Sequence, residues 1–217
     1  MIDSLELDTT PLGEDVWHNL ASDSARRVVA AAIECFAEFG FHGTTTRVLA
    51  ARSNLSLGGI YVHFKSKMDL LEFIVRHAHQ ELAEKMLEVN GIENPIERLD
   101  QLVRRHVYFH ANRTTAAHVA NIELHSLPHS RRSDIMTTRS VIDGLLTTAV
   151  EDGIRSGDFS VDEVRPVVFA IISLSLGLTR WYHRNGQMSP EEISDAYARA
   201  ALSMVRGQSS RAREYSD

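Results

Sequence analysis

His106 and His110 stand four residues apart in a stretch whose apolar residues Leu99, Leu102, Val103 and Val107 recur at helical spacing, so both rings share one helix face. Such a pair can begin a metal site, with Glu123 or His125 as the next ligand, or a histidine-lined catalytic pocket. Two imidazoles without a defined third donor are more often hydrogen-bonded core residues, so no metal site is assigned. A metal-responsive protein or a helical enzyme built on this pair stands as the alternative reading. Enzymatic chemistry would need a nucleophile with its base, a phosphate loop or a cofactor motif. The chain has no Gly-rich phosphate loop, no HExxH and no GxSxG, so no enzyme is expected, and no catalytic residue or cofactor is named.

Other polar or aromatic residues on apolar stretches could face an internal cavity. They are His118, Asn121, Glu123, His125, Arg139, Arg180 and Trp181, beside the two histidines. The chain has 217 residues, 43% hydrophobic, enough to bury a substantial core. Net charge is -6, so any nucleic-acid surface must come from local charge. Residues 1–21 carry five acids and neither Lys nor Arg, whereas residues 22–70 carry six bases (Arg26, Arg27, Arg47, Arg52, Lys65, Lys67) against four acids (Asp23, Glu34, Glu38, Asp69), a local excess of +2. Cys35 is the only cysteine, which excludes an intrachain disulfide and a Cys-based zinc cluster and suits a reducing cytoplasm. No signal peptide is visible, and the longest apolar run, Val167 to Leu178, falls far short of the roughly 20 residues a membrane span needs, so a soluble protein with no membrane partner is expected.

Those residues need helices to position them. Residues 1–21 read as a flexible acidic arm, with a turn of helix near Trp17 at most. Val28, Val29, Ala32, Ile33, Phe36 and Phe39 mark a first helix that Gly40 should end with a left-handed cap. Thr44, Thr45 and Thr46 offer caps for a short second helix over 44–52, with Asn54 in a tight turn and Ser56 capping a third short helix through His63. Two short helices so joined make a helix-turn-helix, with Val48, Leu49, Ile60 and Phe64 as its core. Ser66 opens a long connector helix to about Val89, and Asn94-Pro95 opens the next. Helices over about 114–127 and 131–156 follow. A capping box at Ser160–Glu163 should start an apolar helix to about Tyr182, and Ser189-Pro190-Glu191-Glu192 the last, with Ala196, Ala200 and Ala201 on one stripe. The fold class is all-α, about nine helices, with no strand alternation.

Residues 44–70, TTTRVLAARSNLSLGGIYVHFKSKMDL, with Ala30 to Gly43 (AAAIECFAEFGFHG), resemble the N-terminal region of the TetR family of transcriptional regulators. The resemblance implies a helix-turn-helix DNA-binding domain over 22–67, an effector-binding and dimerisation domain over 68–207 and a polar tail over 208–217. It implies phosphate contacts from Thr45 or Thr46, Tyr61, His63 and Lys67, residue types suited to anions. The third helix, capped by Ser56 and starting Leu57, Gly58, Gly59, is small enough at its start to approach base edges in a major groove ~12 Å wide. Arg47 is a further DNA-binding residue. Leu57 and Gly59 stand where a polar or basic residue and a Ser or Thr are more usual in the family, which shifts selectivity toward a thymine methyl and DNA shape.

For the remainder, the resemblance implies a cavity lined by the middle helices and a homodimer formed by the last two. His106, His110, Asn121, Glu123, Arg180 and Trp181 are the effector-binding candidates. The segment Arg180 to Ile193 is similar to a subgroup of these regulators associated with fatty-acid, steroid and acyl-CoA metabolism. The expected partners are double-stranded operator DNA, a small apolar or acyl-type effector and a second copy of the chain, the effector releasing a repressor from its operator.

Overall fold

The computed structural model describes residue 20, residues 22–183 and residues 186–206. Apart from Leu20, the expected acidic arm lies outside the described residues, as does the polar tail. The described residues form nine α-helices and one 3-10 turn, with no strand. None of the helices is long and apolar enough to cross a membrane.

Helix α1, Asp23–Gly43, is capped by Ser22, whose Oγ accepts from Ala25 N at 3.2 Å, and it buries Val28, Val29, Ala32, Ile33 and Phe36. At Gly40 the backbone turns to φ 71, ψ 165, a region essentially confined to glycine, and one further turn follows. The break is where the sequence places it, but it is not the left-handed cap expected. Thr45 caps α2, Thr46–Ser53, while Thr44 is buried, its hydroxyl donating to Cys35 O and Gly40 O. Asn54 ends α2 at φ 54, ψ 45, and Ser56 caps α3, Leu57–His63. Leu49, Ile60 and Phe64 are core as expected, but Val48 faces solvent. Along α2 it lies one position, about 100° of helix turn, from buried Leu49, and the short α2 buries only a narrow face.

Ser66 caps α4, Lys67–Leu87, and Asn94 caps α5, Pro95–Asn112. Then come α6, Thr114–Ile122, the 3-10 turn Glu123–Ser126, and α7, His129–Ser156. Gly157, at φ 84, ends α7 in the left-handed region, and the Phe159 ring folds onto Gly153, where a Cβ would lie 2.0 Å from it. The last helices are α8, Val164–Leu178, and α9, Pro190–Val205; Ser189 and Glu192 form a complete capping box for α9. No such box forms at Ser160, a correction to the sequence reading. Ser160 N donates to Val205 O at 2.8 Å, which holds it at the end of α9, and α8 begins only after Glu163.

Two cores share α4. One joins α1, α2 and α3 to Leu70, Leu71, Ile74 and Val75, and also takes in Ala116, Val119, Leu124, Leu127 and Ile135. The other gathers Leu82, Met86, Leu99, Leu102, Val103, Leu146, Val150, Ile171 and Ile193. Ion pairs clamp α4 to the start of α7, where Arg131 meets Asp69 and Glu72 and Arg76 meets Glu72 and Asp134.

Candidate functional site

Helices α2 and α3 present an exposed face. Thr45, Arg47, Ser56, Leu57, Gly58 and Tyr61 lie on it, Tyr61 being 48% exposed, and Thr46 is half-buried at the start of α2. Thr45 Oγ1 accepts from Val48 N at 3.2 Å, which leaves its O–H to donate outward. Arg47 and Lys65 have no ion pair among the described residues, whereas Arg52 is held by Glu34 and Glu38. The free cations on this face are therefore Arg47 and Lys65. Lys65 was not among the expected DNA contacts, although it belongs to the same Lys65-Ser66-Lys67 run as Lys67. Val62, 80% exposed, was also missed; with Ile60 buried, a position about 200° further round a helix has to point out.

Two expected phosphate binders have other work. Half-buried His63 shares a 2.7 Å hydrogen bond between its Nε2 and Ser24 Oγ, which ties α3 to α1. Lys67 Nζ donates to Phe41 O and Thr44 O, at 2.5 Å each, and sits 4.4 Å from the Phe41 ring centre. It caps the end of α1 from the first turn of α4, and burial pushes its pKa down from the usual lysine range. These contacts tie α3 and the start of α4 to α1.

Glu123, expected at the effector, is likewise placed elsewhere. Buried in the 3-10 turn, its Oε1 accepts from Phe41 N at 3.0 Å, just past the Gly40 break, and its Oε2 accepts from Ser126 Oγ at 2.6 Å. Lys67 and Glu123 thus grip the same short piece of α1 from two different helical segments. Arg180 and Trp181 are exposed on the turn after α8, outside the cavity lining, because α8 ends at Leu178 rather than Tyr182.

A cavity of about 410 Å³ opens between α4, α5, α6, α7 and α8. His106, His110 and Asn121 line it as expected, joined by His79, which the sequence reading missed. Leu82, Phe109, Ile142, Phe169, Ile172 and Leu176 supply apolar wall, and all three histidines are buried. Burial holds His79 and His110 at pKa about 4 and His106 well below its usual value. Arg139, half-buried, also lines the cavity and has no hydrogen bond or ion pair among the described residues; burial lowers its pKa. A second, polar cleft of about 840 Å³ beyond Phe109 has its arginines paired, with Arg113 on Glu81, Arg104 on Asp195 and Arg105 on Glu88.

The metal alternative does not fit this geometry. The His106 and His110 rings lie 4.6 Å apart, centre to centre, and His110 Nδ1 is taken by His106 O at 2.8 Å. Glu123 is engaged at Phe41 and His125 faces solvent. No group of three or more His, Cys, Asp or Glu among the described residues could hold a metal ion.

Comparison with known proteins gives the same picture. Residues 28–74 match the family "Bacterial regulatory proteins, tetR family", and residues 93–205 match "Tetracyclin repressor-like, C-terminal domain". A bacterial regulatory protein in the tetR family from Rhodococcus RHA1 superposes with a TM-score of 0.78 at 32% identity, over 85% of this chain and 97% of that one. The fatty acid metabolism regulator protein of Bacillus subtilis is 25% identical over 160 residues, 71% of this chain and 81% of the relative. AibR, solved in complex with isovaleryl coenzyme A and operator DNA, has the same fold with a TM-score of 0.70 at 22% identity, over 81% of this chain and 96% of that one. With a helix-turn-helix whose exposed face carries unpaired cations, a separate cavity among the later helices and these matches, the chain belongs to the TetR family of bacterial transcriptional regulators and not to a family of enzymes.

Proposed function

We propose that this chain is a homodimeric repressor that leaves its operator when the cavity takes up an apolar acid or its acyl derivative. Residues 22–67 are the DNA-reading unit and residues 68–207 bind effector and partner. The observation that carries the effector class is Arg139: an unpaired, partly desolvated cation in a cavity with mostly apolar walls calls for an anion on an apolar body. The AibR ligand, an acyl thioester, and the fatty-acid relative lie in the same chemical direction.

The mechanism is a population shift. In the DNA-bound dimer, two α3 helices sit about one DNA turn, ~34 Å, apart. His79 and Leu82 of α4 and Asn121 of α6 line the cavity, and the same segments carry Lys67 and, just past α6, Glu123 to the end of α1. An effector that moves α4 against α6 therefore moves α1 and the reading helix. A coupling of about 1–3 kcal/mol is typical of such linkage.

The test is fluorescence anisotropy on the DNA beside the gene, at two salt concentrations, with fatty acids and acyl-CoA as candidate effectors. Salt-sensitive binding, weakened by Tyr61→Ala and Arg47→Ala and released by an acid or acyl thioester, is expected. Arg139→Met should still bind DNA but lose the response. If no acid or acyl-CoA shifts operator affinity, the effector class is wrong.

A further inference from the structure

Two imidazoles of the cavity wall have their protons already committed to the backbone. His79 Nδ1 lies 2.8 Å from Val75 O, and His110 Nδ1 lies 2.8 Å from His106 O, each carbonyl one helical turn back. A carbonyl only accepts, so each neutral ring carries its hydrogen on Nδ1 and keeps a lone pair on Nε2. Burial, which holds both pKa values at about 4, keeps the rings neutral near pH 7.

Little inside the protein answers those lone pairs. The nearest donor to His110 Nε2 is the Asn121 side-chain amide at 3.5 Å, the outer limit of a hydrogen bond, and that amide also donates to Ala117 O at 2.8 Å. His79 Nε2 has no partner among the described residues. Beside His110, the ring of His106, 2% exposed, has an Nδ1 with no partner among the described residues. A buried polar atom in a native protein is rarely left so, and the rings of His79 and His110 line the same cavity.

We propose that the cavity selects an apolar acid carrying a neutral O–H or N–H donor on its chain, such as a hydroxylated fatty acid or its acyl derivative, with the donor on the Nε2 atom of His79 or of His110 and the anionic group on Arg139. This rests on the apolar-acid reading above and adds the second polar group. A hydroxyl that replaces water at one of these atoms keeps its hydrogen bond, whereas a plain alkyl chain forfeits it. A ligand ammonium at the same wall would sit beside Arg139, whose charge already bears on all three histidines. The other charged lining groups are Asp143 and Arg165, the latter 5.4 Å from the exposed Phe169 ring centre and so toward the mouth.

The experiment is calorimetric titration of the full-length protein at pH 7 with decanoic acid, its monohydroxy isomers and the matching methoxy acids, which keep the oxygen but lose the donor. At least one hydroxy isomer should bind about three- to tenfold more tightly than decanoic acid, and its methoxy analogue should lose that gain. Of His110→Phe and His79→Phe, the one that removes the acceptor in use should bring the hydroxy acid and decanoic acid to equal affinity, and a preference that survives both variants overturns the donor-reading wall. If every hydroxy isomer binds no better than decanoic acid, or the methoxy acids share the gain, the donor-reading wall is wrong while the acid-binding reading stands. If none of the acids binds, both fall.

Discussion

A Cβ at Gly58 would meet nothing nearer than Ser56 Oγ at 3.8 Å, and one at Gly59 would make only ordinary contacts at 3.5 Å, so packing within the chain does not require either glycine. If α3 enters a major groove as proposed, their bareness serves the approach to DNA. Gly58→Ala should therefore stabilise the free protein by up to about 1 kcal/mol and yet weaken operator binding. Thermal melting and anisotropy read the two effects separately; a variant more stable and equally tight would remove the groove explanation. The two lysines before α4 divide in the same way. Lys67→Ala should lower stability by about 1–3 kcal/mol, since two buried carbonyls lose their donor, and leave the salt slope of DNA binding nearly unchanged. Lys65→Ala should barely affect stability and reduce that slope by about 1. The sequence showed two lysines and a histidine of the right kinds in this stretch. It did not show their roles, because the partners of His63 and Lys67 lie 39 and 26 residues away along the chain, and such contacts exist only once α1 has packed.

The caps of α2, α3, α4, α5 and α9 were legible because each depends on residues within one turn of its own helix start. The start of α8 was not, because Ser160 is claimed by the end of α9. The 3-10 turn after α6 illustrates the same limit, since nothing local marks Glu123 as the group that holds the Gly40 break. Glu123→Ala should cost about 1–3 kcal/mol by leaving Phe41 N without its acceptor, and it should make operator affinity less responsive to effector. Denaturant unfolding measures the first effect, and anisotropy with and without effector the second; a variant with full response would dissociate Glu123 from the coupling. The small-residue stripe expected on α9 divides in the structure, with Ala201 buried in the chain's own core and Ala200 exposed. The apolar character of α8 survives at the surface instead, where Phe169, Leu174 and Trp181 just beyond it are exposed. Leu174→Glu should shift sedimentation toward the monomer, and unchanged dimer mass would place the partner contact elsewhere.

At the scale of the whole molecule, three of the described histidines are buried around one cavity, and stability should depend on pH through them. His79 and His110 are depressed to about 4 from 6.5, so between those values the unfolded chain binds more protons than the folded one. Stability is therefore complete above pH 6.5 and falls on acidification toward pH 4, by up to roughly 3 kcal/mol per histidine. Urea midpoints across that range should show the fall, and His110→Phe should flatten it. The pairing of His106 with His110 was visible at helical spacing, but His79 arrives from another helix, and only packing brings it to the same wall.

The clamp on the DNA-reading unit passes through the backbone N–H of Phe41, a group that every amino acid except proline provides. The exposed side chains of Arg47, Leu57, Tyr61, Val62 and Lys65 are then free to drift toward new operator sequences without disturbing the joint through which the proposed coupling runs. A lineage of such repressors can change the genes it governs and keep the metabolite it answers to, and a grafted head inherits that response wherever its own bend after α1 offers the same amide.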